Sequence, residues 1–213
     1  MKLYGYFRSS AAFRVRIALN LKSVDYDQAF IHLRKNDQRS ADFLKINPQG
    51  LVPALIDNGH VLSQSLAIIE YLEETRPEPA LLPRDSVGRA RVRSLAQAIA
   101  CDIHPIDNLR VLQFLGKEMK HDAGDIETWF NHWVKVGFDG IEQSLATDGK
   151  VGTYCHGDVP GLADICLVPQ VFNAKRYPSF DLSPYPTIMR IFGNCMKLAA
   201  FDRAVPEKQP DAE

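Results

Sequence analysis

The sequence is poor in cysteine and carries no excess of charge of either sign. None of its four cysteines forms a CxxC pair or has the close His or Cys neighbours of a zinc site, so neither a disulfide scaffold nor a metal centre is expected. Lys and Arg total 25 and Asp and Glu total 26, which gives a formal net charge of -1. A protein that binds a phosphate backbone needs a basic excess or a basic stripe. Nucleic acid is therefore not an expected partner.

Long hydrophobic runs, internal repeats and low-complexity tracts are also missing. No stretch approaches the roughly 18 apolar residues of a membrane-spanning helix, so no membrane partner is expected. Residues 1–8 have no long apolar region and no cleavage site of a signal peptide, and the cysteines are therefore expected to be reduced thiols. Hydrophobic residues make up 46% and charged residues 24%, which is ordinary for a soluble globular protein of 213 residues.

The first third of the chain alternates short strands with helices. Apolar and aromatic runs predict strands at 2–7, 26–31, 51–56 and 60–62, and helical spacing predicts helices at 10–21, 40–46 and 65–74. The first helix is predicted to be amphipathic. Asn58-Gly59 is a strong hairpin signal, so the last two strands should pair antiparallel. The order β-α-β-α-β-β-α predicts a layered α/β domain.

Three prolines between residues 77 and 83 interrupt this pattern, and helical periodicity dominates beyond them. The sequence predicts an α/β domain over 1–78, a linker over 79–85 and an all-helical domain over 86–213. One long helix or two helices are expected over 87–119, and single helices are expected at 125–145, 163–175 and 186–201. Pro105 should bend the first of these helices. The polar tail from Pro206 onward is expected to fray.

Several motifs extend along almost the whole chain. They are Ser9-Ser10-Ala11-Ala12-Phe13-Arg14 at the first helix, Asn47-Pro48 through Val52-Pro53, Gln64-Ser65 before a helix, and Cys101-Asp102-Ile103-His104-Pro105 with Asn108 and Arg110. Together they resemble the zeta class of cytosolic glutathione transferases, and the last run is similar to its bacterial maleylacetoacetate and maleylpyruvate isomerases. The sequence departs from the zeta pattern at Ala11, where a cysteine is usual, at Phe13 and at Gly161.

This resemblance implies a thioredoxin-like N-terminal domain followed by an all-α bundle. It implies glutathione as cofactor, a small dicarboxylate as substrate, and a cytoplasmic homodimer. The implied activity is cis–trans isomerisation of maleylacetoacetate or maleylpyruvate in aromatic catabolism. Two alternatives remain open at this point: a transferase that conjugates or dehalogenates small α-haloacids, and a non-catalytic module that binds glutathione.

The resemblance implies that Ser9, with Ser10 as helper, stabilises the thiolate of glutathione. Both serines lie where a strand meets a helix, and the positive end of a helix favours an anion. The alternative is that both serines only cap the helix. Val52 would bind the cysteinyl unit of glutathione through its backbone, with a cis peptide bond to Pro53. The alternative is an ordinary trans proline at the start of a strand.

Gln64 and Ser65 begin a helix, where free N–H groups and a hydroxyl suit the γ-glutamyl carboxylate of glutathione. A simple helix cap at Ser65 is the alternative and is compatible with that role. The resemblance further implies that His104, Asn108, Arg110 and Asp102 contact glutathione, with Asp102 reaching across a dimer interface. A structural histidine beside a proline kink is the alternative for His104.

Arginine binds carboxylates in a bidentate geometry, which suits a dianionic substrate. The resemblance places Arg8 and Arg176 in the second-substrate pocket, with Arg110 as a further candidate, and a solvated surface charge is the alternative for each. Trp129 and Trp133, at helical spacing, are expected in the core. Asp164 is expected to be a buried carboxylate at a helix start, and the four cysteines are expected to be small buried apolar groups.

Overall fold

The computed structural model describes all 213 residues. Backbone contacts divide the chain into a first unit, residues 1–81 with 196–213, and a helical unit, residues 82–195. This division differs from the sequence-based one because the C-terminal segment, residues 196–213, belongs to the first unit rather than to the helices that precede it.

The first unit contains a four-stranded mixed sheet. Its strands are β1 (Lys2–Gly5), β2 (Asp27–Phe30), β3 (Ala54–Asp57) and β4 (His60–Ser63). The spatial order is β2-β1-β3-β4, with β1 parallel to β2 and the other two pairs antiparallel. Asn58 and Gly59 have φ angles of 49° and 80°, as a tight hairpin turn requires. The predicted α/β order and hairpin are therefore confirmed.

Four helices accompany this sheet. They are α1 (Ser10–Leu21), α2 (Ala41–Ile46), α3 (Ser65–Thr75) and α10 (Ala199–Asp202). The prediction that helix α1 is amphipathic is wrong, because every residue from Ala12 to Leu19 is buried. Arg14 and Arg16 lie in this buried stretch, and each is only 2% exposed. Their guanidinium groups therefore need hydrogen-bond acceptors inside the protein.

The C-terminal segment does not fray in the way the sequence predicted. Asp211 accepts a hydrogen bond from the backbone N–H of Phe7, and the side-chain amide of Gln209 donates to the carbonyl groups of Arg203 and Val205. The Asn20 amide donates to the carbonyl of Ala200, which ties α1 to the same segment. Long-range hydrogen bonds thus hold residues that local sequence signals treat as a free end.

The helical unit contains six α-helices. They are α4 (Ser86–Gln97), α5 (His104–Asp107), α6 (Leu109–Lys117), α7 (Ala123–Thr147), α8 (Leu162–Ala174) and α9 (Pro186–Met196), the last residue of which lies beyond the unit. The stretch 87–119, predicted as one helix or two, is broken in two places, and neither break is at Pro105. A π-helical segment spans Ala98–Ile103, and Asn108 leaves the helical conformation with a ψ of 164°. No helix has the length and apolar character needed to cross a membrane.

The burial of side chains in the helical unit agrees with the sequence-based prediction for some residues and differs for others. Asp164 is buried, as predicted, and accepts hydrogen bonds from the N–H groups of Gly161 and Cys155 at the start of α8. Trp129 and Trp133 were expected in the core but are half-buried and contact each other edge to face. Cys101 was expected to be buried and is exposed on the π-helical segment, whereas the other three cysteines are buried.

Candidate active site

The loop between β1 and α1, residues 6–9, ends at Ser9. The Ser9 hydroxyl caps α1 by accepting a hydrogen bond of 3.2 Å from the N–H of Ala12. This cap uses a lone pair of the oxygen, and the O–H hydrogen remains available as a donor. Ser10 follows as the first residue of α1 and is half-buried. Capping and stabilisation of a nearby anion are therefore compatible roles for Ser9.

A small hydrophobic cluster packs this loop against Val52. Its buried members are Tyr6, Phe7, Phe43 and Val52. The peptide bond between Val52 and Pro53 is cis, in agreement with the expectation from the resemblance. Neither the N–H nor the C=O of Val52 forms a hydrogen bond within the chain. These two groups can bind the backbone of a peptide ligand, since such groups require partners when they are buried.

The start of α3 carries Gln64 and Ser65. Gln64 precedes α3 with a φ of 69°, and its side chain does not cap the helix. Its side-chain amide instead donates a hydrogen bond of 3.0 Å to the side chain of Gln49. Ser65 is the first helical residue and not the cap that the alternative assumed. Its hydroxyl instead accepts a hydrogen bond of 3.3 Å from the guanidinium of Arg14. The first-turn N–H groups of α3 have no intrahelical acceptors and can bind a carboxylate.

Arg14 connects the two helix starts that the sequence assigned to one site. It lies on α1, one turn after Ser9, and its bond to Ser65 on α3 is buried. Sequence reasoning missed Arg14 because a helix that is assumed to be amphipathic carries its arginines on the exposed face. Gln49 was missed as well, although it lies within the motif from Asn47-Pro48 to Val52-Pro53 that the sequence identified.

The residues of the first unit therefore fit glutathione on structural grounds. They offer a hydroxyl donor at the positive end of α1, unpaired backbone groups at Val52 and free N–H groups at the start of α3. Arg8 is exposed in the β1–α1 loop, with its guanidinium 5.6 Å from the centre of the Phe7 ring. It is therefore adjacent to Ser9 and accessible to an anionic ligand.

Four further candidates lie between the end of α4 and the start of α6. Asp102 is exposed on the π-helical segment, His104 is half-buried at the start of α5, and Arg110 is exposed on α6. Asn108 caps α6 by accepting a hydrogen bond from the N–H of Val111, and its amide donates to the carbonyl of Pro105. Asn108 thus has a structural role that the sequence did not predict, and its remaining donor and acceptor capacity is free for a ligand.

Arg176 lies two residues beyond the end of α8 and is exposed. Burial raises the pKa of the neighbouring Tyr177 phenol, the charge of Arg176 lowers it, and the charge of Asp107 raises it. Arg176 and Asp107 therefore act on the same phenol. Asp107 is buried and accepts a hydrogen bond of 2.6 Å from the Gln170 amide. The sequence did not single out Asp107 or Gln170, because neither belongs to a recognisable motif.

The thiols of two buried cysteines, Cys155 and Cys195, are not suited to act as nucleophiles. Burial raises the pKa of the thiols of Cys155 and Cys195, so both stay protonated at neutral pH. No group of three His, Cys, Asp or Glu side chains is arranged to hold a metal ion. None of the four cysteines belongs to the first unit, which carries Ser9, Val52 and Ser65.

The fold and this set of residues define a glutathione transferase. The sequence model of the glutathione S-transferase N-terminal domain matches residues 1–74. The chain is 50% identical to a maleylpyruvate isomerase of a Ralstonia species, over 100% of both chains. It is 48% identical to a probable maleylacetoacetate isomerase of Vibrio cholerae, over 99% of this chain and 97% of that one.

Solved structures agree with this assignment. The holo structure of a maleylpyruvate isomerase, described as a bacterial zeta-class glutathione S-transferase, superimposes with a TM-score of 0.98 at 50% identity over 100% of both chains. A maleylacetoacetate isomerase from Methylobacterium extorquens AM1, solved with bound malonate and glutathione, gives a TM-score of 0.96 at 43% identity, also over both full lengths. The chain belongs to the zeta class of glutathione transferases, in the group of maleylpyruvate and maleylacetoacetate isomerases.

Proposed function

We propose that the protein is a glutathione-dependent cis–trans isomerase that converts maleylpyruvate or maleylacetoacetate to the fumaryl isomer. The observation that carries this proposal is full-length similarity to isomerases of both names, combined with a first unit whose free polar groups fit glutathione. Its place would be in aromatic catabolism, in the cytoplasm, as a homodimer.

Bound glutathione would supply a thiolate that adds to the cis double bond and leaves again after rotation, so that the cofactor is regenerated. The chain's own task is to keep that sulfur anionic. The Ser9 hydroxyl would donate its free hydrogen to the sulfur, with Ser10 as helper, and the first turn of α1 adds its positive potential. A free thiol has a pKa of about 8.5, and such surroundings lower it.

Binding of the cofactor would fall to three elements of the first unit. The N–H and C=O of Val52 would pair with the cysteinyl backbone of glutathione. Ser65 and the N–H groups at the start of α3 would bind the γ-glutamyl carboxylate, and Gln64 would contact the same end. Arg14 would hold the Ser65 hydroxyl in place and add positive charge nearby. In the helical unit we assign glutathione contacts to Asp102, His104 and Asn108.

Recognition of the substrate would rest on arginines. Arg8 and Arg176 would each bind a carboxylate and stabilise the negative charge that develops on the substrate, and Arg110 is the third candidate. Solved relatives contain small carboxylates in keeping with this. One holds malonate and glutathione, and another, from Anaeromyxobacter dehalogenans, holds dicarboxyethyl glutathione and citrate in its active site.

The proposal is tested by direct assay. Maleylpyruvate and maleylacetoacetate are generated enzymatically, and their enol absorbance is followed with the purified protein, with and without glutathione. We expect glutathione-dependent conversion to the fumaryl isomer with no net consumption of glutathione. Binding of glutathione without conversion of either substrate would contradict the proposal and favour a conjugating or dehalogenating transferase.

A further inference from the structure

The backbone of Phe7, which immediately precedes Arg8 and Ser9, is held through both of its polar groups. Its N–H donates to the Asp211 carboxylate over 3.0 Å, and its C=O accepts from the Arg16 guanidinium over 3.0 Å. Asp211 is 204 residues away in sequence, so this contact is purely tertiary. Neither partner belongs to the groups to which we assign contacts with glutathione or substrate.

Arg16 extends this arrangement into the C-terminal segment. Its Nε donates to the carbonyl of Ala204 over 3.0 Å, while its Nη2 reaches Phe7. The guanidinium is buried, so its hydrogen bonds form in a medium of low dielectric constant, where they are stronger than at the surface. The C-terminal segment and the β1–α1 loop are therefore joined directly through Asp211 and indirectly through Arg16.

The side chains of Tyr6 and Phe7 are held by the hydrophobic cluster with Val52, but few other hydrogen bonds restrain the backbone of the β1–α1 loop at this point. The Ser9 N–H donates to the carbonyl of Tyr6, and the rest of Ser9 is fixed by the cap of α1. Arg8 lies between the hydrogen-bonded backbone of Phe7 and that cap, and no hydrogen bond of its exposed side chain fixes it. The position of the Phe7 backbone therefore determines where the Arg8 side chain starts and at what angle the chain enters α1.

We propose that Asp211 is a positioning residue for this loop, so that the C-terminal segment sets the placement of the Arg8 side chain and the Ser9 hydroxyl. The inference rests on the proposed function, because it assigns Asp211 to the same site. Asp211 acts through the backbone N–H of Phe7 and not by contact with the substrate. A hydrogen bond that holds catalytic groups can affect the rate strongly, since small displacements of those groups are costly.

The test compares Asp211→Ala with Glu207→Ala, which removes an exposed carboxylate from the same segment. In Asp211→Ala we expect kcat to fall about tenfold, which corresponds to about 1.4 kcal/mol, while KM for glutathione changes less than about threefold. We also expect the bound glutathione thiol to ionise at a pH higher by about half a unit, read from its thiolate absorbance. Glu207→Ala and Asp211→Asn, whose amide oxygen still accepts, should behave like the unaltered protein.

A purely structural role would lower the melting temperature and leave both the thiol titration and kcat of the folded protein unchanged, which would overturn the proposal. If Asp211→Ala does not fold, Asp211→Glu decides, because it keeps the acceptor but lengthens the side chain by one methylene. A reduced kcat at an unchanged melting temperature supports positioning, and an unchanged kcat overturns it. The thiol titration needs no isomerase substrate, so failure of the proposed reaction is distinguishable from failure of this inference.

Discussion

Neighbouring residues in the β1–α1 loop have different surroundings. Ser9 is half-buried and hydrogen-bonded to the backbone of α1, whereas the Arg8 side chain is exposed and contacts only the Phe7 ring among the interactions described above. A hydroxyl tied to a helix start suits a fixed interaction with a bound sulfur. An exposed guanidinium suits a ligand that enters from solvent.

Replacement of Arg8 by alanine should separate these two roles. We expect Arg8→Ala to raise KM for the dicarboxylate by about tenfold or more, because a charge-assisted hydrogen bond to a carboxylate contributes roughly 1.5–3 kcal/mol. KM for glutathione should change little. Steady-state kinetics with each substrate varied in turn measures the difference, and Arg84→Ala, an exposed arginine of the linker, is the control. Equal effects on both substrates would remove Arg8 from the dicarboxylate site.

At the residue scale, sequence patterns identified the polar groups at helix starts but not the partners that hold them. Ser9 and Ser65 stood out because serine before a helical run is a recognisable signal. Arg14 and Asp211 did not, because a hydrogen bond between residues 51 or 204 positions apart leaves no local pattern. The same limit explains why a helix cap was the alternative for Ser65 and why the C-terminal segment was predicted to fray.

The N-terminal caps of two helices in the helical unit differ in burial, so their contributions to the free energy of unfolding should differ. Asp164 is 1% exposed and satisfies two backbone N–H groups at the start of α8. Asp122 is exposed and accepts one hydrogen bond, from the N–H of Asp125, at the start of α7. The first carboxylate connects the preceding loop to its helix, whereas the second acts within a single turn.

Alanine at these two positions should give unequal losses of stability. We expect Asp164→Ala to lower the free energy of unfolding by about 3 kcal/mol or more, since each buried donor left without a partner costs about 1–3 kcal/mol. Asp122→Ala should lower it by about 1 kcal/mol, which is typical of an N-cap. Urea unfolding followed by circular dichroism measures both. Similar losses would show that burial of the Asp164 cap adds nothing.

At the scale of elements, periodicity predicted the type of each helix better than its ends. The run from 87 to 119 predicts one helix or two because its apolar residues recur at helical spacing, and Pro105 is the only evident breaker. The structure breaks it at Asn108 instead, where the side chain caps α6, and a proline in the first turn of α5 is tolerated. A π-helical segment has no comparable sequence signature.

The whole molecule carries several carboxylates whose pKa is held below its usual value by hydrogen bonds. Those of aspartate are Asp85, Asp139, Asp148, Asp158 and Asp181. For Asp148 the largest cause is the hydrogen bond from Arg91, followed by that from the backbone N–H of Lys150. Each such group binds a proton more readily in the unfolded chain than in the folded one.

The stability of the protein should therefore fall on acidification. A carboxylate with a lowered pKa stabilises the fold above its unfolded pKa, and this contribution is lost as the pH falls through the folded pKa. We expect the free energy of unfolding to decline as the pH drops below about 4, the ordinary value for aspartate. Asp148→Asn should make this decline shallower. Urea titrations at a series of pH values measure the slope, and parallel slopes for Asp148→Asn and the unaltered protein would contradict the assignment.

The C-terminal segment also affects the order in which the protein can be completed during synthesis. The first unit needs residues 196–213, yet 114 residues of the helical unit separate them from residue 81. At about 5–20 residues per second, the ribosome needs roughly 7–26 s to add residues 82–213 after Leu81. Until residue 204 has been added, the buried guanidinium of Arg16 has no Ala204 carbonyl to bind, so the loop that carries Ser9 reaches its final anchorage only after the helical unit has been synthesised.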